Sequence, residues 1–163
     1  MRAVLISIRP QWCQKIASGE KTIEVRKNRP KLAPPFRCYI YCTAGSLDYI
    51  SSNGVPVSCP DGMRVIGEFA CPCFVPIRVN ENGSIVNWMY EHMEDACVPY
   101  DEVASYVGNN HVGSGWRISD LVTYDKPREL TEFVGLRDTK FGAETVEIKR
   151  PPQSWCYVEE KTK

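Results

Sequence analysis

The first residues of the chain alternate between apolar and other side chains with a period of two. Val4, Ile6 and Ile8 fall on one face of an extended segment, as a half-buried strand requires. Pro10 suits the first turn of a helix, and Gly19 stands where a left-handed cap would end it. The pattern therefore predicts a strand followed by a short helix. The second face of that strand carries Ala3, Leu5, Ser7 and Arg9.

A period of two returns directly after this predicted helix. Ile23 and Val25 fall on the core side of a second strand. Thr22, Glu24 and Arg26 share the opposite face of that strand. The second strand is therefore predicted to align three polar groups on one side.

The remaining chain indicates short strands separated by irregular segments. Residues 43–62 are rich in Gly, Ser, Asn and Pro, which predicts a flexible loop insertion, and the glycine-rich residues 108–115 predict a second loop. Further strands are predicted near residues 37–42, 64–78, 116–124 and 155–158.

One helix is predicted in the second half of the chain. Val103, Tyr106 and Val107 follow helical spacing, Asp101 stands at the capping position, and Gly108 stands at the end.

Many short strands, few helices and no regular alternation between the two favour an α+β, mainly β fold. The architecture this predicts is a compact small β-barrel with short helices at its ends. A length of 163 residues suits a single domain. We therefore expect one domain over residues 1–163, with the segment 43–62 as a flexible loop within it.

Composition and charge restrict the classes of partner. No apolar run approaches the roughly 20 residues that a membrane helix needs, and the start of the chain has no signal-peptide core. These features predict a cytoplasmic protein with no membrane partner. Lys plus Arg equals Asp plus Glu at 20 each, so binding to nucleic acid would depend on a local patch.

Eight cysteines raise the question of disulfides or zinc. Their spacing does not form paired C-x-x-C knuckles, and no secretory signal is present, so buried free thiols are the favoured interpretation. Cys71 and Cys73, with Cys59 and Cys97 as partners, form the one cluster that suits a metal. We expect no metal and no cofactor.

The densest polar grouping lies between the first strand and the second. Because the intervening helix is short, the two strands are expected to be neighbours and to border one cleft. The guanidinium of Arg9 would offer a planar fork to a phosphate or carboxylate, and Glu24 would orient Lys21 and Arg26 or accept a base amino group. The alternative is an ordinary surface salt bridge. The grouping contains Ser7, Arg9, Lys15, Lys21, Glu24 and Arg26.

The same region resembles the N-terminal signature of ASCH domains. The matching features are a strand that ends before Pro10, a helix, and then a G-x-K-x-x-E-x-R run from Gly19 to Arg26. Residues 115–121, 125–127 and 152–155 resemble later strands of bacterial and phage members. The resemblance implies a PUA-like β-barrel whose cleft binds RNA or a modified nucleoside or nucleotide, with Lys21, Glu24 and Arg26 at the matching cleft positions.

The resemblance leaves enzymatic activity open. Some ASCH proteins resemble amidohydrolases of acetylated cytidine that use a Lys, a Thr three residues later and a distal Glu, and others resemble ribonucleases. Lys21 matches the first position, but residue 24 is Glu, and a carboxylate beside a lysine opposes the loss of its proton. Lys21 and Glu24 are therefore the candidate catalytic residues of a hydrolase alternative. Hydroxyl candidates are Thr22 and Thr43, and acid candidates are Glu94, Asp95 and Glu102.

Aromatic side chains offer surfaces on which a base can stack. Trp116 follows the second glycine loop and begins a predicted strand, so its ring is expected at the mouth of the cleft. The alternative for each aromatic residue is packing in the core. The predicted ligand-binding set is thus Ser7, Arg9, Lys21, Glu24, Arg26 and Trp116.

Overall fold

The first strand lies in the middle of the largest sheet and is buried on both faces. The computed structural model describes residues 1–88 and 90–162. Strand β1 (Arg2–Ile8) pairs in parallel with β3 (Phe36–Cys42) and antiparallel with β12 (Trp155–Glu159). Val4 and Ile6 pack into one hydrophobic cluster, whereas Ala3 and Leu5 pack into a second cluster on the other face. The prediction of a half-buried strand is therefore wrong, because a central strand is covered on both sides.

The order of elements along the chain is strand-rich throughout. The helices are α1 (Pro10–Ala17), α2 (Tyr90–Ala96) and α3 (Tyr100–Val107), with a 3-10 helix at Leu130–Glu132. The other strands are β2 (Ile23–Arg26), β4 (Leu47–Ile50), β5 (Pro56–Cys59), β6 (Arg64–Cys71), β7 (Phe74–Arg78), β8 (Val112–Arg117), β9 (Ser119–Arg128), β10 (Val134–Thr139) and β11 (Gly142–Glu147).

The strands form three sheets. Seven strands lie in the order β11-β10-β12-β1-β3-β6-β9, three in the order β2-β8-β7, and β4 pairs with β5. Within residues 1–88 and 90–162 these sheets are not closed into a barrel. The mainly β prediction is confirmed, and the prediction of a closed barrel is corrected to an arrangement of open sheets.

Helix α1 returns the chain from the large sheet to the three-stranded sheet. Pro10 occupies its first turn, and the backbone of Arg9 precedes it in an extended conformation. Cys13 and Ile16 face the core. Gly19 follows the helix at a φ of 80°, a left-handed conformation that glycine adopts without strain. The predicted strand-helix unit is confirmed, but β1 and β2, which were expected to be neighbouring strands, lie in different sheets.

Residues 43–62 contain strands where a loop was predicted. Strands β4 and β5 pair antiparallel across a turn. Leu47, Tyr49, Val57 and Cys59 are buried in the core cluster that also contains Trp116. These apolar residues alternate with polar ones, and this period of two favours strands although the composition of the segment is typical of a loop. The single-domain interpretation stays a prediction.

The second half of the chain departs from the predicted boundaries at several points. Helix α3 begins one residue before Asp101, with Pro99 preceding it, so Asp101 lies in the first turn. Strand β8 begins at Val112, inside the predicted loop 108–115. Among residues 1–88 and 90–162, no helix is both long and apolar enough to cross a membrane.

Candidate functional site

A pocket of about 360 Å³ lies where the end of β1 meets β2, helix α3 and the segment before β12. Helix α1 places Lys21 near the end of β1, and the backbone NH of Ser7 donates to the carbonyl of Ser154 at 2.9 Å. These connections bring together residues from both ends of the chain. Five of the six predicted ligand-binding residues line the pocket: Ser7, Arg9, Lys21, Glu24 and Arg26.

The floor of the pocket is an ionic triad centred on Glu24. One carboxylate oxygen of Glu24 lies 3.3 Å from the Nζ of Lys21, and the other lies 2.9 Å from a terminal nitrogen of Arg26. The relative exposures of Lys21, Glu24 and Arg26 are 1%, 6% and 8%. This burial rules out the alternative that these residues form an ordinary surface salt bridge, because both ion pairs of Glu24 are removed from solvent screening.

The ammonium of Lys21 is held from three sides. It donates to the carbonyl of Ala96 at 2.5 Å, and it lies 5.3 Å from the centre of the Trp12 ring. Ala96 is the last residue of α2, where exposed carbonyls favour a cation. Together with Glu24, these contacts fix the position of the Lys21 side chain at the base of the pocket.

Arg26 links the pocket floor to β1 and to the segment before β12. One terminal nitrogen donates to the carbonyl of Ser7 at 2.6 Å, and the other lies 3.4 Å from the Oγ of Ser154. Its Nε is buried and has no hydrogen-bond partner among the described residues. The orientation of Arg26 is therefore set by groups from three separate elements.

The rim of the pocket is more exposed than its floor. Helix α3 contributes Glu102 and Tyr106 to the rim. The relative exposure of Tyr106 is 40%. The side chain of Arg9, which also lines the pocket, is exposed, and it makes no hydrogen bond or ion pair within residues 1–88 and 90–162. The rim thus offers an aromatic ring, a carboxylate and a free cation to a ligand.

Trp116 does not lie at the mouth of the pocket. Its side chain is fully buried in the hydrophobic core, with its ring in contact with Phe36, Phe74 and Trp155. The prediction that Trp116 stacks on a base is therefore corrected: strand β8 is covered, so its aromatic residue packs inward.

The other predicted polar residues are divided between the pocket and its surroundings. Lys15 lies outside and forms an exposed ion pair with Glu20 at 2.7 Å. Asp95 is bound by Arg117 at 2.8 Å. Of the three predicted distal acids, only Glu102 lines the pocket, and neither predicted threonine does.

Several lining residues escaped the sequence interpretation. Gln153 and Ser154 come from the segment before β12, and Val98, Val103 and Tyr106 come from the region of α3. Trp12, on helix α1, also lines the pocket. The segment 152–155 resembles ASCH domains, which was the one available signal for Gln153 and Ser154.

The eight cysteines are free thiols, and five of them are buried. Within residues 1–88 and 90–162, no group of three or more His, Cys, Asp or Glu side chains is arranged to hold a metal ion. Cys13 lies near the triad, and burial raises the pKa of its thiol well above the ordinary value of 9.0. The thiol is therefore protonated at neutral pH and adds no charge to the pocket.

The fold is that of ASCH proteins. The structure of an ASCH protein from Zymomonas mobilis aligns with this chain at a TM-score of 0.62 and 20% sequence identity. The alignment covers 97% of this chain and 88% of the Zymomonas mobilis chain. Two variants of the Zymomonas mobilis protein, a serine-to-alanine and a tyrosine-to-phenylalanine substitution, match with TM-scores of 0.63 and 0.57 at 19% and 18% identity, over 97% of this chain and 89% and 91% of theirs. No protein-family model and no curated protein sequence matches the chain. The resemblance seen in the sequence is confirmed at the level of the fold.

Proposed function

We propose that this chain, which has the ASCH fold, is a binding protein that holds a nucleoside or one nucleotide of an RNA in the pocket around Glu24. The observation that carries the proposal is the buried triad of Lys21, Glu24 and Arg26 at the base of a 360 Å³ pocket. Pockets of about 300–1,000 Å³ with a few fixed polar groups are typical of small-molecule sites.

The chemistry of the lining suits a nucleobase. A carboxylate has about four acceptor positions, so Glu24 retains acceptor capacity beside its two ion pairs and can take a hydrogen bond from an exocyclic amino group. Lys21 retains donor capacity for a base carbonyl. The rings of Trp12 and Tyr106 provide apolar surfaces, and stacking on such rings contributes about 1–3 kcal/mol per base.

The mouth of the pocket suits a phosphate. Arg9 is exposed, unpaired within the described ranges, and adjacent to the buried triad. A guanidinium binds phosphate oxygens with two parallel hydrogen bonds. A nucleotide with its base on the buried triad and its phosphate at the exposed Arg9 therefore matches each part of the ligand with a group of suitable chemistry.

The hydrolase alternative, with Lys21 as the key residue, has weaker support. The Nζ of Lys21 is already engaged by the carboxylate of Glu24 and by the carbonyl of Ala96, so it is not free to act as a base or nucleophile in this arrangement. The Ser7 hydroxyl in the pocket donates to the carbonyl of Pro152 at 2.6 Å. Amidohydrolase action on an acetylated cytidine, or cleavage of RNA, stays a prediction.

Titration calorimetry with nucleoside monophosphates and with short single-stranded RNA tests the proposal. We expect Arg9→Ala and Tyr106→Ala to bind the ligand at least about tenfold more weakly, because both residues line the pocket with exposed side chains. Lys15→Ala is the matched control, since it removes a nearby cation outside the pocket. Wild-type protein that binds neither class of ligand at low salt would refute the proposal.

A second assay separates binding from catalysis. The protein is incubated with acetylated cytidine and with RNA between about pH 6 and 10, the range in which a catalytic lysine would change its protonation. The proposal predicts that both compounds remain intact. Turnover that disappears in Lys21→Ala would establish the hydrolase alternative instead.

A further inference from the structure

Positive charge is concentrated in the part of the chain that builds the pocket. Residues 1–40 contain nine of the 20 Lys and Arg residues but only two of the 20 Asp and Glu residues. The net charge of zero therefore conceals a basic N-terminal segment and an acidic remainder. Such an asymmetry creates a local field that attracts polyanions although the whole protein is neutral.

Three of these cations follow directly after the pocket. Lys27, Arg29 and Lys31 occupy the segment that leaves β2, and all three side chains are exposed. None of them forms an ion pair with a carboxylate within residues 1–88 and 90–162. They remain available to negative groups from outside the protein.

Aromatic rings hold two of these cations in place. The Nζ of Lys27 lies 5.2 Å from the centre of the Tyr106 ring, which also lines the pocket. The guanidinium of Arg29 lies 5.2 Å from the centre of the Phe74 ring. A ring orients a cation without neutralising its charge, unlike a carboxylate.

A second pocket, of about 510 Å³, opens at Arg29 and Phe74. Its lining includes the cations of Arg29 and Lys31 and no carboxylate. The acidic side chain that acts on Lys31 is Asp138, and Arg2 already binds that carboxylate at 2.6 Å and 3.2 Å. The second pocket therefore has the charge of an anion site.

We propose that Lys27, Arg29 and Lys31 form a track for the phosphodiester backbone of a single-stranded RNA whose neighbouring nucleotide occupies the first pocket. This inference rests on the proposed function and extends it from one nucleotide to a strand. One residue, Asn28, separates Lys27 from Arg29, a span of at most about 7 Å. Lys27 lies over the Tyr106 ring of the first pocket and Arg29 lines the second, so the two pockets are adjacent. Phe74 offers a ring surface to the next base.

The arrangement selects a single strand because the floor of the first pocket is buried. A base in a duplex is stacked and paired, whereas an unpaired base can leave the strand and enter a closed pocket. The track itself contacts only phosphates, so it adds affinity without reading sequence. A free nucleoside would use the first pocket alone.

The test compares Lys27→Ala/Arg29→Ala/Lys31→Ala with a control that removes the same charge elsewhere. The control is Lys126→Ala/Arg128→Ala/Lys140→Ala, in which Arg128 and Lys140 also lie over aromatic rings, 4.9 Å from the centres of Tyr124 and Phe141. Fluorescence anisotropy measures binding of a labelled single-stranded oligoribonucleotide over a series of salt concentrations. Calorimetry measures binding of a nucleoside monophosphate, and thermal unfolding confirms that both variants are folded.

We expect the track variant to bind the oligonucleotide at least about tenfold more weakly at low salt, with a salt slope shallower by about 2, because each phosphate contact on a single strand contributes about 0.7. Binding of the monophosphate and all binding by the control should remain at wild-type levels. Equal losses in the two variants, or heparin binding as tight as that of the oligonucleotide, would overturn the track.

Failure of the track and failure of the pocket give different results. Wild-type protein that binds the monophosphate as tightly as the oligonucleotide overturns the track and leaves the proposed function intact. An oligonucleotide affinity that depends on the track, without any monophosphate binding, supports the track and counts against the pocket. Absence of binding to both ligands overturns both.

Discussion

Glu24 and Lys21 form an ion pair of 3.3 Å in which both side chains are more than nine-tenths buried. The second oxygen of Glu24 binds Arg26. Removing one member of a buried charge network is costly because it leaves uncompensated charge in a low-dielectric environment. The carboxylate of Glu24 therefore supports the fold as well as the pocket.

Glu24→Gln is predicted to lower the free energy of unfolding by about 3–5 kcal/mol, since Lys21 and Arg26 would lose their shared counter-charge. Urea unfolding followed by circular dichroism measures the change. Glu20→Gln is the control, because Glu20 pairs with Lys15 at an exposed site and should have little effect. If Glu24→Gln lowered the free energy of unfolding no more than the control does, the triad would be shown to be solvated.

Gly113→Ala is predicted to destabilise the packing of α3 on the three-stranded sheet. A Cβ at residue 113 would lie 2.6 Å from the Cγ2 of Val107, so the Val107 side chain or helix α3 itself would have to shift. Overpacking of this kind costs about 1–3 kcal/mol. Because α3 also carries Tyr106, ligand affinity should fall together with stability.

A double-mutant cycle attributes the effect of Gly113→Ala to this contact. In a Val107→Ala background the opposing methyl groups are absent, so Gly113→Ala should cost less than in the wild type. Thermal unfolding of the four proteins gives the interaction energy. Additive effects of the two substitutions would locate the strain elsewhere, for example at the carbonyl of Arg26, 3.3 Å from the same Cβ.

The part of the site that the sequence predicts is the part that is local in the chain. Arg9, Lys21, Glu24 and Arg26 are separated by one short helix, so periodicity and a glycine cap were enough to place them together. Ser154 reaches the same pocket from the segment before β12, the strand paired with β1, and that long-range pairing has no signal in a single sequence.

Burial was harder to predict than secondary structure. The alternation in β1 indicates a strand, but whether its second face meets solvent depends on what packs there. Leu5 on that face belongs to a buried cluster that includes distant residues such as Phe133. The burial of Trp116 was unpredictable for the same reason, because its strand is covered by residues that are distant in the sequence. Strands β10 and β11 were missed because their residues are largely exposed and lack an apolar period.

The stability of the protein is predicted to fall in acid partly through Asp125. Hydrogen bonds donated by Ser51, at 2.5 Å, and by Asn53 lower the pKa of Asp125 below its ordinary value of 3.8. Since the unfolded chain takes up the proton first, this contribution is complete above pH 3.8 and is lost as the pH falls through the lower, folded-state pKa.

Thermal unfolding measured from neutral pH into this acid range tests the contribution of Asp125. Asp125→Asn should have a lower midpoint than the wild type at neutral pH, and the difference should shrink in acid. Asp48→Asn is the control, because Asp48 is an exposed aspartate without a hydrogen bond in the described ranges. A difference for Asp125→Asn that stays constant with pH would exclude the hydrogen-bonded carboxylate as its cause.

Cys71 and Cys73 are predicted to differ sharply in reactivity, although a single residue separates them. Cys71 is buried, and burial raises the pKa of its thiol to about 12, whereas Cys73 is exposed. Because the thiolate is the reactive species, a maleimide at neutral pH should modify Cys73 quickly and Cys71 only after unfolding in urea. Mass spectrometry of digested protein locates the label at each time point. Protection of both thiols in the native protein, released by a chelator, would instead indicate a bound metal and contradict the prediction.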